Sequence, residues 1–205
     1  MKYKAVLFDL LTGLLDSWTV WNRVAGSEAA GRRWRAAYLE LTYGAGAYRP
    51  YESLVAEAAA STGLFASHAA ALSEHWTEIQ PWEEAPAILR GLAKNHQLGI
   101  VTNCSEHLGR AAAAKLGVGF EVIVTSERAG FYKPRPEPYR LALRELGLDP
   151  GEVLFVAGSG FDLIGTSKVG LDTYWHNRVG LQRPPAAPPP MREERSLAGL
   201  RDYEG

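Results

Sequence analysis

From residue 81 onward the chain alternates between two textures, and that alternation limits the fold more than any other feature. Short β-branched runs, "LGIVTN", "FEVIVTS", "EVLFVAG" and "LDTYWHN", are separated by the amphipathic stretches "SEHLGRAAAAKLG", "PEPYRLALRELGL" and "FDLIGTSKVG", with "PWEEAPAILRGLAKNH" ahead of them. Such runs with helices between them argue for parallel strands joined by right-handed crossovers, in a sheet covered on both faces. The run at residues 4 to 9, "KAVLFD", has the unbroken apolar character of a central strand. It must join the same sheet across residues 16–80, which are rich in Ala, Glu, Trp and Tyr and carry helical spacings such as Trp34, Ala37/Tyr38, Leu41. The fold class is therefore α/β: a doubly wound parallel sheet from residues 1–15 and 81–205, with an inserted α-helical unit at 16–80. Gly44 and Gly46 interrupt that unit, and "YESLVAEAAASTGL" resumes the helical period up to Gly63. Near the C-terminus, "QRPPAAPPP" reads as a stiff extended connector, and "MREERSLAGLRDY" as an edge strand and a short helix.

Composition narrows the function. At 205 residues and 46% hydrophobic content the chain can bury a core unaided. Its 22 basic and 23 acidic residues are interspersed, so no polyelectrolyte partner is implied and nucleic acid is set aside. The single cysteine, Cys104, cannot form an internal disulfide, which suits a reducing compartment. No apolar run approaches the roughly 20 residues of a membrane helix, and no signal-type leader opens the sequence. The expectation is a cytoplasmic protein with a small-molecule substrate and no membrane partner. Apolar surface on the inserted helices leaves a homodimer open.

Asp9 ends the first apolar run. An ionised carboxylate in apolar surroundings costs roughly several kcal/mol unless it is paired, so Asp9 either caps a turn or does chemistry. In open parallel sheets the ligand crevice lies beyond the carboxyl ends of the strands. That rule selects Asp9, then Thr102 and Asn103 after "LGIV", then Ser159 to Asp162 after "EVLFVA". Lys133, in the loop "GFYKPRP", can reach the same rim. Taken singly, Thr102 and Asp162 also read as helix caps and Lys133 as an ordinary loop residue. Their joint occurrence at strand ends, in this order, argues for a site.

The order strand-Asp9, helical insertion, strand-Thr102, Lys133-Pro134 and a strand running into Asp162 resembles the haloacid dehalogenase (HAD) superfamily. Within it the chain is most similar to the 2-haloacid dehalogenase branch, from "VLFD" through "WRAAYLE", "FYKP" and "YWHNR" to "SLAGL". The resemblance implies a Rossmann-like core with a helical cap. It also implies an Asp9 nucleophile working through a covalent aspartyl intermediate that water hydrolyses. Lys133 would hold Asp9 ionised, and Thr102, with Asn103 and Ser159 on the same rim, would bind substrate. Asp162 would orient Lys133, the water or a metal. In "RRWRAAYLE" the match to the cap arginine that assists the halide falls on Arg35, and Tyr139 matches a tyrosine of dehalogenase sites. Both have plain readings too, Arg35 as a solvated helix face and Tyr139 as a packing residue. Trp18, Trp21 and Trp34 are named as pocket lining, although tryptophans at helical spacing are more often core.

The departures are informative. Phosphatases of the superfamily carry a general acid two residues after the nucleophile, worth roughly 10²–10⁴-fold; here that residue is Leu11. Where they place the first acid, after the strand that ends near Ala157, this chain has Gly158. A weak Mg²⁺ site from Asp9, the Leu11 carbonyl and Asp162 is conceivable, whereas dehalogenation requires neither metal nor acid, because halide leaves unprotonated. The dehalogenase branch in turn has Tyr-Gly-Thr where this chain has Leu11-Thr12-Gly13. It has Ser and Asn where this chain has Ala157 and Ser159, and Gln at Ala36. The expectation is a dehalogenase-like hydrolase of a small acid, with a phosphatase or a binding protein that has lost turnover as the alternatives. Cys104 reads as a small filler, and His68, His75, His96, His107 and His176 as surface or boundary residues.

Overall fold

The computed structural model describes residues 2–204. In chain order the strands are β1 (Ala5–Phe8), β2 (Leu15–Asp16), β3 (Gln80–Pro81), β4 (Gln97–Thr102), β5 (Val122–Thr125), β6 (Val153–Ala157), β7 (Asp172–His176) and β8 (Arg192–Glu194). Six of them form one parallel sheet in the order β5-β4-β1-β6-β7-β8. The remaining two, β2 and β3, pair as an antiparallel ribbon with Leu15 opposite Pro81 and Asp16 opposite Gln80.

Between the ribbon strands run α1 (Ser17–Val24), α2 (Glu28–Gly44), α3 (Tyr51–Ser61) and α4 (Ala66–Glu74). After the ribbon come α5 (Ala85–Leu92), α6 (Glu106–Ala114), α7 (Ser126–Ala129), α8 (Pro136–Leu146) and α9 (Asp162–Val169). Glycine ends these helices for a backbone reason. Gly46 and Gly63, just past α2 and α3, adopt φ of +65° and +81°, a left-handed region that costs glycine nothing.

All four residues of β1 are buried, and their side chains alternate between two cores. Val6 and Phe8 join α5, α6 and the inserted helices on one face; Ala5 and Leu7 join α8 and α9 on the other. The inserted helices are tied to the sheet domain directly. The Trp76 indole donates to the Leu108 carbonyl at 2.9 Å, and the Tyr132 hydroxyl donates to the Arg49 carbonyl at 2.7 Å.

Two local expectations are revised. The proline connector is not extended throughout, because Ala187 N–H closes a turn on the Pro184 carbonyl at 2.9 Å and Ala187 is buried. The expected edge strand and short helix are both present, as β8 and a 3-10 helix, Leu197–Tyr203. His96 and His176 are buried rather than on the surface. His176 is held there by a 2.8 Å contact of its Nδ1 with the Gly13 carbonyl. Among the described residues no helix is long and apolar enough to cross a membrane.

Candidate active site

The strand order explains where the site forms. From β1 the chain steps out to β4 and β5 on one side, then returns to β6, β7 and β8 on the other. The crevice expected at such a reversal opens at the C-terminal end of β1, between the ends of β4 and β6. Asp9 stands there, its N–H donating to the Val156 carbonyl at 2.9 Å.

The two oxygens of the Asp9 carboxylate have different jobs. Oδ2 accepts the Thr12 N–H at 3.0 Å, the Thr12 hydroxyl at 2.7 Å and the Gly13 N–H at 2.9 Å, which closes the turn after β1. Oδ1 accepts the Lys133 ammonium at 2.9 Å. Capping a turn and presenting a carboxylate for chemistry are thus one arrangement.

Lys133 lies on the loop between α7 and α8 and is only 4% exposed. The Asn103 amide grips its backbone from both sides: Nδ2 donates to the Lys133 carbonyl at 3.0 Å, and the Lys133 N–H donates to Oδ1 at 2.7 Å. The ammonium also lies 2.9 Å from Asp162 Oδ1, which accepts the Tyr139 hydroxyl at 2.7 Å. Asp162 enters as the first residue of α9.

Burial disfavours charge on all of these groups, and their mutual contacts decide the outcome. Burial pushes the Asp9 carboxyl up, but the Lys133 charge and the Thr12 and Lys133 hydrogen bonds outweigh it and hold Asp9 below its ordinary value. Burial pulls Lys133 down, and the charges of Asp162 and Asp9 reverse that, raising it. Asp162 ends above its ordinary value, because burial and the Asp9 charge outweigh Lys133. The site therefore holds Asp9 as carboxylate and Lys133 as ammonium. Tyr139 is raised well above its ordinary value by burial and by Asp162, so it stays a donor.

A cavity of about 60 Å³ opens beside Asp9, Lys133 and Asp162. Thr102 lines it with a buried hydroxyl that has no hydrogen-bond partner among the described residues. Ser159 lines it too, with its Oγ turned back to accept the Phe161 N–H at 3.3 Å. Arg35 reaches in from α2. Its Nη1 donates to the Ser17 hydroxyl at 2.8 Å, and its guanidinium lies 4.2 Å from the centre of the Trp18 ring. Burial lowers Arg35 from its ordinary value, but a guanidinium starts so high that it stays charged. It is a buried cation, not a solvated helix face.

Several expected roles change with the geometry. Tyr139 does not border the cavity; it holds Asp162, packs edge-on against Phe155 at 5.2 Å, and leaves room for no side chain at Gly165. Asn103 borders the cavity, but its amide is spent on Lys133. Trp21 and Trp34 pack on each other at 4.7 Å in the core, so of the three tryptophans only Trp18 lines the cavity. The trio offered for Mg²⁺ does not fit that ion. Both Asp9 oxygens are engaged, the Leu11 carbonyl accepts the Ser17 hydroxyl, and an ammonium already bridges the two carboxylates. Among the described residues, no cluster of three His, Cys, Asp or Glu side chains is placed to hold a metal.

The sequence reading missed Thr12, Ser17, Tyr43 and Phe161. A hydroxyl three residues after an aspartate is a turn signal that could have flagged Thr12. Nothing local marks the rest, because Tyr43 at the end of α2 and Phe161 before α9 meet only in the fold, with ring centres 4.1 Å apart over the cavity.

The family model described as haloacid dehalogenase-like hydrolase matches residues 3–170. The chain is similar to the (S)-2-haloacid dehalogenase of Pseudomonas sp. (strain YL), 29% identical over 194 residues that span 86% of this chain and 84% of the relative. It is also similar to the (S)-2-haloacid dehalogenase of Xanthobacter autotrophicus, 28% identical over 183 residues that span 82% of this chain and 72% of the relative. A solved dehalogenase with an intermediate complex superimposes with a TM-score of 0.86 at 25% identity, covering 98% of this chain and 97% of that one. With a family match running from before β1 to the end of α9, and a parallel sheet that carries Asp9, Thr102, Lys133 and Asp162 to one rim, the chain belongs to the haloacid dehalogenase-like hydrolase family.

Proposed function

We propose that this hydrolase removes halide from a short 2-halogenated carboxylic acid through a covalent ester on Asp9. The observation that carries the reading is the 2.9 Å contact between the Lys133 ammonium and Asp9 Oδ1, beside a residue, Leu11, that can donate no proton. Oδ2 is saturated by three donors, so Oδ1 is the oxygen that attacks C2. A C–O bond forms there as the carbon–halogen bond breaks, and halide departs with the electron pair, needing no acid. Water then adds to the aspartyl carbonyl carbon. One of the water's protons passes to Asp162, whose Oδ2 carries no hydrogen bond among the described residues, and the other ends on the departing alkoxide oxygen, so that the 2-hydroxy acid leaves and the Asp9 carboxylate returns.

The unpartnered Thr102 hydroxyl suits the substrate carboxylate. Arg35, backed by the Trp18 ring, supplies permanent positive charge for that carboxylate or for the leaving halide. Residues 16–80 serve as the cap and residues 1–15 with 81–205 as the core, joined at the ribbon of β2 and β3. No metal has a place in this chemistry. The relatives' activity on (S)-2-haloacids supports the substrate class.

The test is a panel of short 2-halogenated acids and activated aryl phosphates, run with wild type and Asp9→Asn. Halide release by wild type alone supports the reading. Phosphate release without halide transfers the protein to the phosphatases of the superfamily, and silence on the whole panel makes it a binding protein.

A further inference from the structure

The turn after β1 differs from the dehalogenase pattern, with Thr12-Gly13 where that branch has Gly-Thr, and its geometry explains how the site accommodates the exchange. A side chain at position 13 has no room, since an added Cβ would overlap the Asp9 carbonyl oxygen. The hydroxyl on Asp9 Oδ2 can therefore come only from position 12, and it does, at 2.7 Å. Across the crevice, an added Cβ at Gly158 would overlap the Thr12 hydroxyl and the Gly13 nitrogen and lie 2.6 Å from Asp9 Oδ2. The Thr12 hydroxyl and the Gly13 nitrogen together occupy the space that a side chain at 158 would need.

From this packing we infer that Thr12 is a positioning residue, whose hydroxyl locks the plane of the Asp9 carboxylate with Oδ1 toward the cavity, and that Gly158 is required to leave room for the whole turn that holds Oδ2, the Gly13 nitrogen as much as the Thr12 hydroxyl. The two backbone donors at Thr12 and Gly13 set where Oδ2 sits. The Thr12 hydroxyl adds a third direction, which stops the carboxylate rotating about its Cβ–Cγ bond. The inference rests on Asp9 as the nucleophile, and it gives a reason for the glycine at 158 that metal chemistry does not supply.

The experiment compares Thr12→Val, Thr12→Ala, Thr12→Ser and Gly158→Ala in steady-state halide release, with crystal structures of the Val and Ser variants. Loss of one hydrogen bond to a charged group predicts a fall in kcat of roughly 10- to 100-fold for Thr12→Val and Thr12→Ala. KM should stay within about twofold, because the substrate is held by other groups. Thr12→Ser should stay within about threefold of wild type, and Gly158→Ala should repeat the kcat loss. The carboxylate should be rotated in the Val structure and not in the Ser structure. Wild-type kcat in both hydroxyl-free variants, or a Ser variant as impaired as Val, overturns the inference. Failure of the nucleophile reading looks different: Asp9→Asn keeps releasing halide, while the Val structure still reports whether the carboxylate has turned.

Discussion

Lys133 follows Asp9 by 124 residues, yet its ammonium lies 2.9 Å from the Asp9 carboxylate, with both side chains under 10% exposed. The lysine makes the same 2.9 Å contact with Asp162, so one cation serves two buried acids. Removing a single partner of such a cluster leaves uncompensated charge, which is worse than losing one surface ion pair.

Lys133→Met should therefore cut halide release by about 10³-fold or more, since the upward push of burial on Asp9 would then be opposed only by the Thr12 and Gly13 hydrogen bonds, and the nucleophile would lose its cation. It should also destabilise the fold by about 3–5 kcal/mol at pH 7. The sign of the pH dependence follows. In wild type Asp9 is held below its unfolded value, so its contribution to stability is present above about pH 4 and lost as pH falls through the lower folded value. In the variant the carboxyl lies higher than in wild type, so the deficit against wild type should shrink on acidification. Thermal denaturation of both proteins at pH 7 and pH 4 measures it; a deficit that grows toward pH 4 contradicts the coupling.

The two acids differ in direction, and the two chemical steps should separate at low pH. Asp9 lies below its ordinary value and Asp162 above. The alkylation step, which uses ionised Asp9, should persist to lower pH than hydrolysis, which uses ionised Asp162. Rapid-quench measurements near pH 4 to 5 should show a burst of about one halide per site, followed by slow turnover. A steady state without a burst at every pH argues against this division of labour.

Tyr139→Phe keeps the ring against Phe155 and removes only the hydroxyl from Asp162. A hydrogen bond to a charged group is worth about 1.5–3 kcal/mol. The expected result is a fall in turnover of about 10-fold with little change in KM, concentrated in the hydrolysis step. A rise in KM alone would instead make Tyr139 a substrate contact.

The rings of Tyr43 and Phe161 close over the cavity from opposite sides, one from α2 and one from the loop after β6. Truncating either to Ala should relax the limit on chain length. The ratio of kcat/KM for 2-halobutyrate or 2-halovalerate to that for haloacetate should rise about 10-fold, the scale on which a pocket reads one methylene. An unchanged ratio would place the length limit elsewhere.

Arg35→Lys should behave as a severe change. The lysine cannot span from the Ser17 hydroxyl to the face of Trp18 as the planar guanidinium does. KM for haloacids should rise about 10-fold or more, with thermal stability changed little; an Arg35→Lys enzyme with wild-type KM would remove Arg35 from substrate binding.

Much of this was legible along the chain. The β-branched runs became β4, β5, β6 and β7, and "AVLF" became the central strand, because an all-apolar run among amphipathic helices can be buried only in the middle of a parallel sheet. Strand ends then told where polar residues would gather, which is why Asp9, Thr102, Lys133 and Asp162 could be named before any coordinates. What each of them touches depended on distant segments. Only the fold gave both Asp9 oxygens their separate partners, set the Tyr139 hydroxyl on Asp162 away from the cavity, and buried Trp21 and Trp34 while leaving Trp18 beside Arg35. Period and composition report which face of an element is buried. Which atoms meet across a crevice is set by strand order and by close approaches such as Gly158 on Thr12, and these have no signature in local sequence.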